Sequence, residues 1–175
     1  MNKQEERILI KQRLEKLKNK EELDKKIYNN LIESKLLKGQ KICIYNSLKQ
    51  EVDTKDIIDY CLSNGYKVFL PVSKEEDIVL VQIDKSTVYK QGKFGILEPI
   101  GMESQENIDL CIIPLLGYDL KKHRLGKGKG YYDRFLKDNN CTKIALAYSC
   151  QELDLVESMP HDVLMDYIVN ENGVI

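Results

Sequence analysis

The first 38 residues combine many charged residues with apolar positions that recur every three or four residues. The apolar positions are Ile10, Leu14, Leu17, Leu23, Ile27, Leu31 and Leu37. This spacing is typical of an amphipathic helix, which buries one stripe and exposes the other. It predicts two amphipathic helices, or one helix broken near Asn19, with Gly39 as the C-terminal stop.

The rest of the chain alternates short apolar runs with helical patterns. Strands are predicted near residues 42–45, 68–70, 78–83, 110–113, 144–148 and 167–170, with an irregular stretch at 92–101. A helix capped by Asp53 or Thr54 and ended by Gly65 separates the first two strands, and a second helix is predicted at 131–137. A strand–helix–strand unit implies parallel pairing. We therefore expect an α/β protein: a three-layer α/β/α fold with a mostly parallel central sheet and N-terminal amphipathic helices.

Composition limits the class of protein. The 175 residues are 42% hydrophobic and 31% charged, which favours one folded domain over residues 1–175 rather than a disordered or membrane-spanning chain. The net charge is −1, so nothing global favours nucleic acid or a membrane as a partner. The N-terminus has no apolar signal segment, and the five cysteines form no C-x-x-C pair. We expect a cytoplasmic protein with reduced thiols.

One segment, GYDLKKHRLGKGKGYYDRFL at residues 117–136, carries the strongest chemical signal. From Arg124 to Gly130 it alternates glycine with cationic residues, and it follows the buried strand that ends near Pro114. Glycine lets backbone N–H groups approach an anion closely, and lysine and arginine supply full charges. This combination suits a polyphosphate, although composition alone fits a flexible basic surface loop equally well.

Several other residues could take part. Asp133 follows the glycines and could hold Mg²⁺ beside phosphates, or simply favour the first turn of a helix. Asp162 and Asp166 could do the same, or serve as turn or cap residues. Lys3 and Arg7 lie four residues apart, on one face of the first predicted helix, where such pairs are usually only solvated.

Other chemistries lack support in the sequence. The glycines match neither the phosphate-binding loop G-x-x-x-x-G-K-[ST] nor the dinucleotide fingerprint G-x-G-x-x-G. His123 and His161 have no His or Cys partner at zinc-ligand spacing. No G-x-S-x-G or cysteine-centred signature of a covalent nucleophile is present.

The segment RLGKGKGYYDRFL resembles the signature of the 5-formyltetrahydrofolate cyclo-ligase (methenyltetrahydrofolate synthetase) family. Further pieces resemble that family in the same order: Lys3-x-x-x-Arg7, YNSLKQEVDT, VFLP, KFGILEP, AYSCQ and MPHDVLMDYIV. Three positions depart from the family pattern. Phe94 stands where tryptophan is common, Lys122 where glycine is usual, and Val72 where many members carry a basic residue.

The resemblance implies a three-layer α/β/α enzyme, a monomer or weak dimer. It would convert 5-formyltetrahydrofolate to 5,10-methenyltetrahydrofolate with Mg-ATP, releasing ADP and phosphate. Its partners would be these small molecules, with no nucleic acid or membrane. It assigns ATP binding to Lys3, Arg7, Arg124, Leu125, Gly126, Lys127, Gly128, Lys129, Gly130, Tyr131 and Tyr132. It assigns folate binding to Asn46, Glu51, Phe94 and Tyr132. Arg124 and Lys129 would be catalytic by neutralising the transferring phosphoryl group, and Asp133 and Asp162 would hold Mg²⁺.

Three alternatives stay open from the sequence. The first is an ATP-dependent phosphotransferase with the same nucleotide site and another acceptor. The second is a non-catalytic module that binds nucleic acid or a phosphorylated ligand through Gly126–Gly130, against which the near-neutral charge argues. The third is a catalytically silent folate-binding homologue, which the presence of Asp133 and Lys129 disfavours.

Overall fold

Eight strands form one mixed sheet in the computed structural model, which describes all 175 residues. The helices are Lys3–Glu15 (α1), Lys20–Glu33 (α2), Lys55–Ser63 (α3) and Tyr131–Lys137 (α4), with 3₁₀ turns at Lys93–Gly95 and Ser149–Gln151. The strands are Lys41–Ile44 (β1), Lys67–Lys74 (β2), Asp77–Ile83 (β3), Tyr89–Gln91 (β4), Leu97–Pro99 (β5), Glu103–Ser104 (β6), Leu110–Pro114 (β7), Gly117–Tyr118 (β8), Arg124–Leu125 (β9), Thr142–Leu146 (β10), Tyr167–Asn170 (β11) and Gly173–Val174 (β12). None of the four helices combines the length and the apolar composition needed to cross a membrane.

The main sheet has the order β12-β11-β10-β7-β1-β2-β3-β6. The five central strands, from β11 to β2, are parallel, whereas β3, β6 and β12 add antiparallel edges. Strand β2, which follows β1 in the chain, pairs with one side of β1, and β7, which comes later, pairs with the other side. The strand order therefore reverses between β1 and β7, which is where open α/β sheets bind ligands.

Helices cover both faces of the sheet, as expected for three layers. Ile27 and Leu31 of α2 pack with Ile57 of α3 against one face, in a fully buried cluster. Leu136 of α4 packs on the opposite face with the cysteines of β1 and β7. Helix α1 lies instead over the β8–β9 hairpin, where Ile10 joins a smaller apolar cluster. The predicted α/β/α architecture is confirmed.

The N-terminal prediction of two helices is confirmed, and the break occurs at Asn19, whose φ is 58°. The predicted stop at Gly39 is wrong. Helix α2 ends at Glu33 and is followed by Lys35 in the left-handed region, with φ 59°. Gly39 also has a positive φ, but it sits at the entrance to β1, against the Asp109 side chain.

The strand–helix–strand prediction is also confirmed, since β1 and β2 pair in parallel on either side of α3. Asp53 accepts a hydrogen bond from the Lys55 N–H at 2.9 Å, so its carboxylate satisfies the first turn of α3. The side chain of Thr54, the residue at the N-cap, instead donates to the Tyr45 carbonyl.

Two local predictions need correction. Residues 92–101 are not wholly irregular, because they contain a 3₁₀ turn and β5, which pairs with β4 in a hairpin. The fifth predicted strand, expected to run to residue 148, ends at Leu146. The chain turns there because the side-chain oxygen of Gln151 accepts the Tyr148 N–H at 2.7 Å and closes a 3₁₀ turn.

Candidate active site

The loops that follow β1 and β7 meet at the carboxyl end of the sheet. Residues 45–54 follow β1 and carry Asn46 and Glu51, whereas residues 115–133 follow β7 and contain the glycine-rich segment. A contact between Lys127 and Glu51 joins the two loops, with 3.3 Å between Nζ and Oε2. The glycine-rich segment therefore lies where sheet topology predicts a ligand site.

The glycines of this segment lie close to guanidinium groups. A Cβ at Gly126 would be 3.2 Å from Arg124 Nη1, and a Cβ at Gly128 would be 3.4 Å from Arg7 Cζ. Gly128 and Gly130 also adopt positive φ values of 107° and 70°, which side chains rarely adopt. Glycine at these positions keeps backbone and cations together on one surface.

Arg124 is the buried cation of the site. Its side chain is only 5% exposed and pairs with Asp133, with 3.3 Å between Nη2 and Oδ2. Nη1 donates to the Pro114 carbonyl, and the guanidinium lies 5.6 Å from the centre of the Tyr132 ring. Its Nε is buried without a hydrogen-bond partner. An unsatisfied buried donor on a cation is costly, so Arg124 carries hydrogen-bonding capacity that the protein itself does not use.

Asp133 and Asp162 come from distant parts of the chain and meet here. The N–H of Val163, next to Asp162, donates to Asp133 Oδ1 at 3.3 Å. Asp162 Oδ2 pairs with Lys3 Nζ at 2.6 Å. Burial alone would raise the pKa of Asp162, but hydrogen bonds from Lys3 and the Met159 N–H outweigh it and lower this pKa. The carboxyl group is therefore ionised near neutral pH.

These two carboxylates fit Mg²⁺ by the chemistry of their oxygens. No cluster of three or more His, Cys, Asp and Glu side chains is present. Mg²⁺ usually keeps several waters and takes one or two carboxylates with substrate phosphates, so Asp133 and Asp162 are the candidates for such a site.

Two further predicted cations lie around the same surface. Arg7 Nε donates to the Gly126 carbonyl at 2.9 Å, which attaches α1 to the glycine-rich segment. Lys129 Nζ lies 4.7 Å from the centre of the Phe94 ring. The structure thus brings together cations from the N-terminal helix and from the glycine-rich segment.

The residues predicted for folate border this surface. Asn46 lies in the loop that follows β1 (residues 45–54, the β1 loop). Its Nδ2 donates to the Leu97 carbonyl at 3.1 Å, which holds the β4–β5 hairpin beside this loop. Phe94, at the tip of that hairpin, is 68% exposed. Burial raises the pKa of Tyr132 well above the usual range, so its hydroxyl stays protonated. Glu51 and Phe94 thus contact lysines of the glycine-rich segment and Tyr132 lies beside Arg124, whereas Asn46 binds the β4–β5 hairpin.

Some candidates from the sequence contribute differently. The Leu125 side chain is fully buried in the apolar cluster beneath α1, so only its backbone is available to the site. The Tyr131 hydroxyl donates to the Glu75 carbonyl, on the side of the β2–β3 turn. Asp166 is not in the site: it accepts the Lys143 N–H at the amino end of β10.

Sequence analysis missed two buried acids that support the site. Asp119 is fully buried and accepts the N–H groups of His123 and Val156, so it joins the glycine-rich segment to the Asp162 segment. Glu6, 2% exposed, accepts the Glu157 N–H at 3.1 Å. The signal for Asp119 was an acid within an apolar run four residues before His123, and nothing local distinguishes Glu6.

Comparisons with known proteins agree with this geometry. The 5-formyltetrahydrofolate cyclo-ligase family model matches residues 1–171. A 5-formyltetrahydrofolate cyclo-ligase of Haemophilus influenzae is 32% identical over 151 residues, 80% of each chain. The solved 5,10-methenyltetrahydrofolate synthetase of Aquifex aeolicus has a TM-score of 0.84 and 32% identity, covering 99% of this chain and 92% of its own. That of Mycoplasma pneumoniae has a TM-score of 0.76 and 28% identity, covering 98% and 99%.

The match therefore extends over nearly the whole chain, in sequence and in fold. It includes α1, the glycine-rich segment with Asp133, and the segment around Asp162, which meet at the carboxyl end of the sheet. The chain belongs to the 5-formyltetrahydrofolate cyclo-ligase family.

Proposed function

We propose that this protein converts 5-formyltetrahydrofolate to 5,10-methenyltetrahydrofolate, with Mg-ATP consumed and ADP and phosphate released. The observation that carries the ATP-dependent part is the buried Arg124, which pairs with Asp133 beside the glycines and keeps an unpartnered Nε. Family membership over residues 1–171 supports the folate substrate.

The reaction requires activation of a poor leaving group. The oxygen of the formyl group carried by N5 attacks the γ-phosphorus of ATP. The bond between this phosphorus and the oxygen that bridges it to the β-phosphorus breaks, and ADP is released. N10 of the same folate then attacks the activated formyl carbon and loses its proton. The C–O bond breaks, phosphate leaves, and the amidinium of the methenyl product remains. Both nucleophiles belong to the substrates, so the protein has to position two ligands and stabilise phosphoryl charge.

The cations provide the charge stabilisation in this proposal. Lys3 and Arg7 hold phosphate oxygens from α1, while Lys127 and the glycine amides contact the triphosphate from the other side. Arg124 and Lys129 neutralise the transferring group. Arg124 is well suited because its guanidinium is already held by Asp133 and by a backbone carbonyl.

Asp133 and Asp162 would hold Mg²⁺, which neutralises phosphate charge and fixes the geometry of the triphosphate when bound. Asp162 is ionised at neutral pH, as the lowered pKa shows. Lys3, its present partner, is a phosphate ligand in the proposal, so both members of the pair serve the same substrate.

The folate lies on the other side, between the β1 loop and the β4–β5 hairpin. The Glu51 carboxylate accepts hydrogen bonds from the donor edge of the pterin, and Asn46 lines the same pocket. Phe94 faces the folate rings; it can stack as tryptophan would, but it has no indole N–H to donate. Tyr132 lies at the junction of nucleotide and folate.

The remaining proposals concern the whole protein. We propose one domain over residues 1–175, acting as a monomer or weak dimer in the cytoplasm, without nucleic acid or a membrane. The supporting features are the net charge of −1 and the single eight-stranded sheet, which includes both β1 and β12.

Absorbance tests the function directly. Pure protein mixed with 5-formyltetrahydrofolate and Mg-ATP should produce the near-ultraviolet absorbance of the methenyl product, with one ADP released per product. Omission of ATP or of Mg²⁺ is the control. ADP release on another acceptor without this chromophore would instead support a phosphotransferase. A flat trace with salt-sensitive RNA binding would support a nucleic-acid module.

A further inference from the structure

One ion pair joins the two halves of the site. Lys127 belongs to the glycine-rich segment, assigned to the triphosphate, and Glu51 belongs to the β1 loop, assigned to the pterin. Their charged atoms are 3.3 Å apart. In the free protein, Lys127, which is proposed to bind the triphosphate, is therefore paired with Glu51, which is proposed to bind the pterin.

Glu51 is the fixed member of this pair. Its side chain is 11% exposed, and its Oε1 accepts the Leu48 N–H at 2.7 Å. The adjacent Val52 carbonyl accepts the Tyr45 hydroxyl at 2.8 Å, which anchors the loop from below. The Tyr148 hydroxyl, which donates to Asp24, lies 3.4 Å from the Glu51 carbonyl. Only Oε2 is paired with a group that can move.

Lys127 is that movable partner. Its side chain is 53% exposed, and Glu51 is the only acidic group with which it is paired. A lysine side chain is long and flexible, and it can turn from a carboxylate to a phosphate without a change in the backbone. The Glu51 carboxylate can then accept other donors in the position that it already occupies.

We propose that the Lys127–Glu51 ion pair makes the binding of nucleotide and of folate mutually favourable; this rests on the proposed function. Nucleotide alone must break the pair to recruit Lys127, and folate alone must break it to recruit Glu51. When both bind, the pair is broken only once. The second substrate therefore binds more tightly than it binds to the free protein, whichever comes first, because coupling between sites is reciprocal. Exposed ion pairs are weak, so the expected factor is about two- to fivefold.

Equilibrium binding tests the proposal without turnover. The dissociation constant of the β,γ-imido analogue of ATP, with Mg²⁺, is measured by calorimetry without and with saturating 5-formyltetrahydrofolate. The reverse titration measures folate without and with the analogue. In the wild-type protein both constants should fall by the same factor, about two to five. Lys127→Met should reduce this factor to about one, since no pair is left to break.

Lys49→Met is the matched control. Lys49 is an exposed lysine of the same β1 loop and is in no ion pair, so its replacement should leave the factor at the wild-type value. In Glu51→Gln the factor should already be lost, and adding Lys127→Met should not change it further. Weaker nucleotide binding in Lys127→Met does not imitate the effect, because the factor is a ratio within one variant.

Two results would overturn the coupling: a wild-type factor of one or below, or the full wild-type factor in Lys127→Met. These are distinct from failure of the proposed function. If 5-formyltetrahydrofolate neither binds nor yields the methenyl chromophore, the function and the coupling fail together. If it binds and turns over without a factor that depends on Lys127, only the coupling fails.

Discussion

Arg124 is held in place by the protein itself, in the position proposed for a phosphate ligand. A buried arginine needs a carboxylate and well-placed acceptors, and here Asp133 and the Pro114 carbonyl supply them. The unpartnered Nε leaves part of its hydrogen-bonding capacity unused. Asp133 therefore has two roles in the proposal: it orients Arg124 and it binds Mg²⁺.

Replacement of that acid tests the metal role. Asp133→Asn should reduce kcat by about 10²–10³ and raise the Mg²⁺ concentration needed for half-maximal rate, because a neutral amide is a poor magnesium ligand. Asparagine still accepts a hydrogen bond from Arg124, so circular dichroism should be unchanged. Asp138→Asn, at the exposed end of the same helix, is the control and should retain wild-type kinetics. Wild-type turnover by folded Asp133→Asn would contradict the metal assignment.

Lys129 tests charge stabilisation. Its ammonium group lies over the exposed Phe94 ring, and no carboxylate holds it. Lys129→Ala should lower kcat by about 10²–10³ with little effect on unfolding, because an exposed cation contributes little to stability. Stopped-flow absorbance and denaturant unfolding would measure both effects. Lys137→Ala, on an exposed position of α4, is the control. Equal rates in the two variants would exclude the proposed catalytic role.

At the scale of elements, the glycine-rich segment and α1 act as one unit. Arg7 of α1 donates to the Gly126 carbonyl, and Ile10 of α1 packs in the apolar cluster that contains Leu125. The backbone of the segment is therefore held from below by an apolar contact and from the side by a cation. Both contacts depend on α1 being in place.

Alanine substitutions at two glycines distinguish the effect of backbone strain on stability from an effect on nucleotide binding. Gly128 and Gly65 both have positive φ, but a Cβ at Gly128 would lie 3.4 Å from Arg7 Cζ, whereas Gly65 has no atom within 4 Å. Each change to alanine should cost about 1–2 kcal/mol of unfolding free energy through backbone strain. Only Gly128→Ala should also weaken binding of the β,γ-imido analogue of ATP, by calorimetry. Equal affinities in both variants would contradict a nucleotide role for the segment.

Helix α1 offers a test of its own packing. Ile10 is fully buried, whereas Ile8, two residues earlier, is 50% exposed. Ile10→Ala should lower the free energy of unfolding by about 2–5 kcal/mol, because it leaves a cavity between the helix and the β8–β9 hairpin. Ile8→Ala should change it by less than about 0.5 kcal/mol. Denaturant titration followed by circular dichroism measures both, and similar losses in the two variants would contradict the position of α1.

At the scale of the whole molecule, buried acids join segments that are distant in sequence. Asp119 accepts hydrogen bonds from His123 in its own loop and from Val156 in the segment that leads to Asp162. Burial by itself would raise the pKa of Asp119, but these hydrogen bonds outweigh it and lower this pKa. The ionised carboxylate therefore stabilises the folded protein.

This lowered pKa predicts a pH dependence of stability. The contribution of Asp119 is fully present above its unfolded pKa of about 3.9, and it is lost as pH falls through the lower folded value. Asp119→Asn should cost about 2–3 kcal/mol near pH 7, and the difference from wild type should shrink below about pH 4. Urea unfolding from pH 7 to pH 3 measures this, with the exposed Asp154→Asn as control. A difference that stays constant with pH would contradict the role of an ionised Asp119.

Local spacing was enough to predict most elements of this protein. Helix α4 and strand β11 begin and end where the sequence predicts: α4 follows directly on the glycine-rich segment, and β11 is a short run with three consecutive buried residues. The phosphate site predicted from the alternation of glycine and cations at residues 124–130 stays a prediction. The β1–α3–β2 unit followed from the order of its elements.

Only the tertiary structure decided which side chains meet. Three ion pairs join segments up to 159 residues apart: Arg124–Asp133, Lys3–Asp162 and Lys127–Glu51. The strand order places them at the carboxyl end of the sheet. The pairing of β4 with β5 was missed for a related reason, since a short exposed hairpin has no apolar face to reveal it. Sequence periodicity reports whether a residue is buried, but the partner of a charge depends on how distant segments pack.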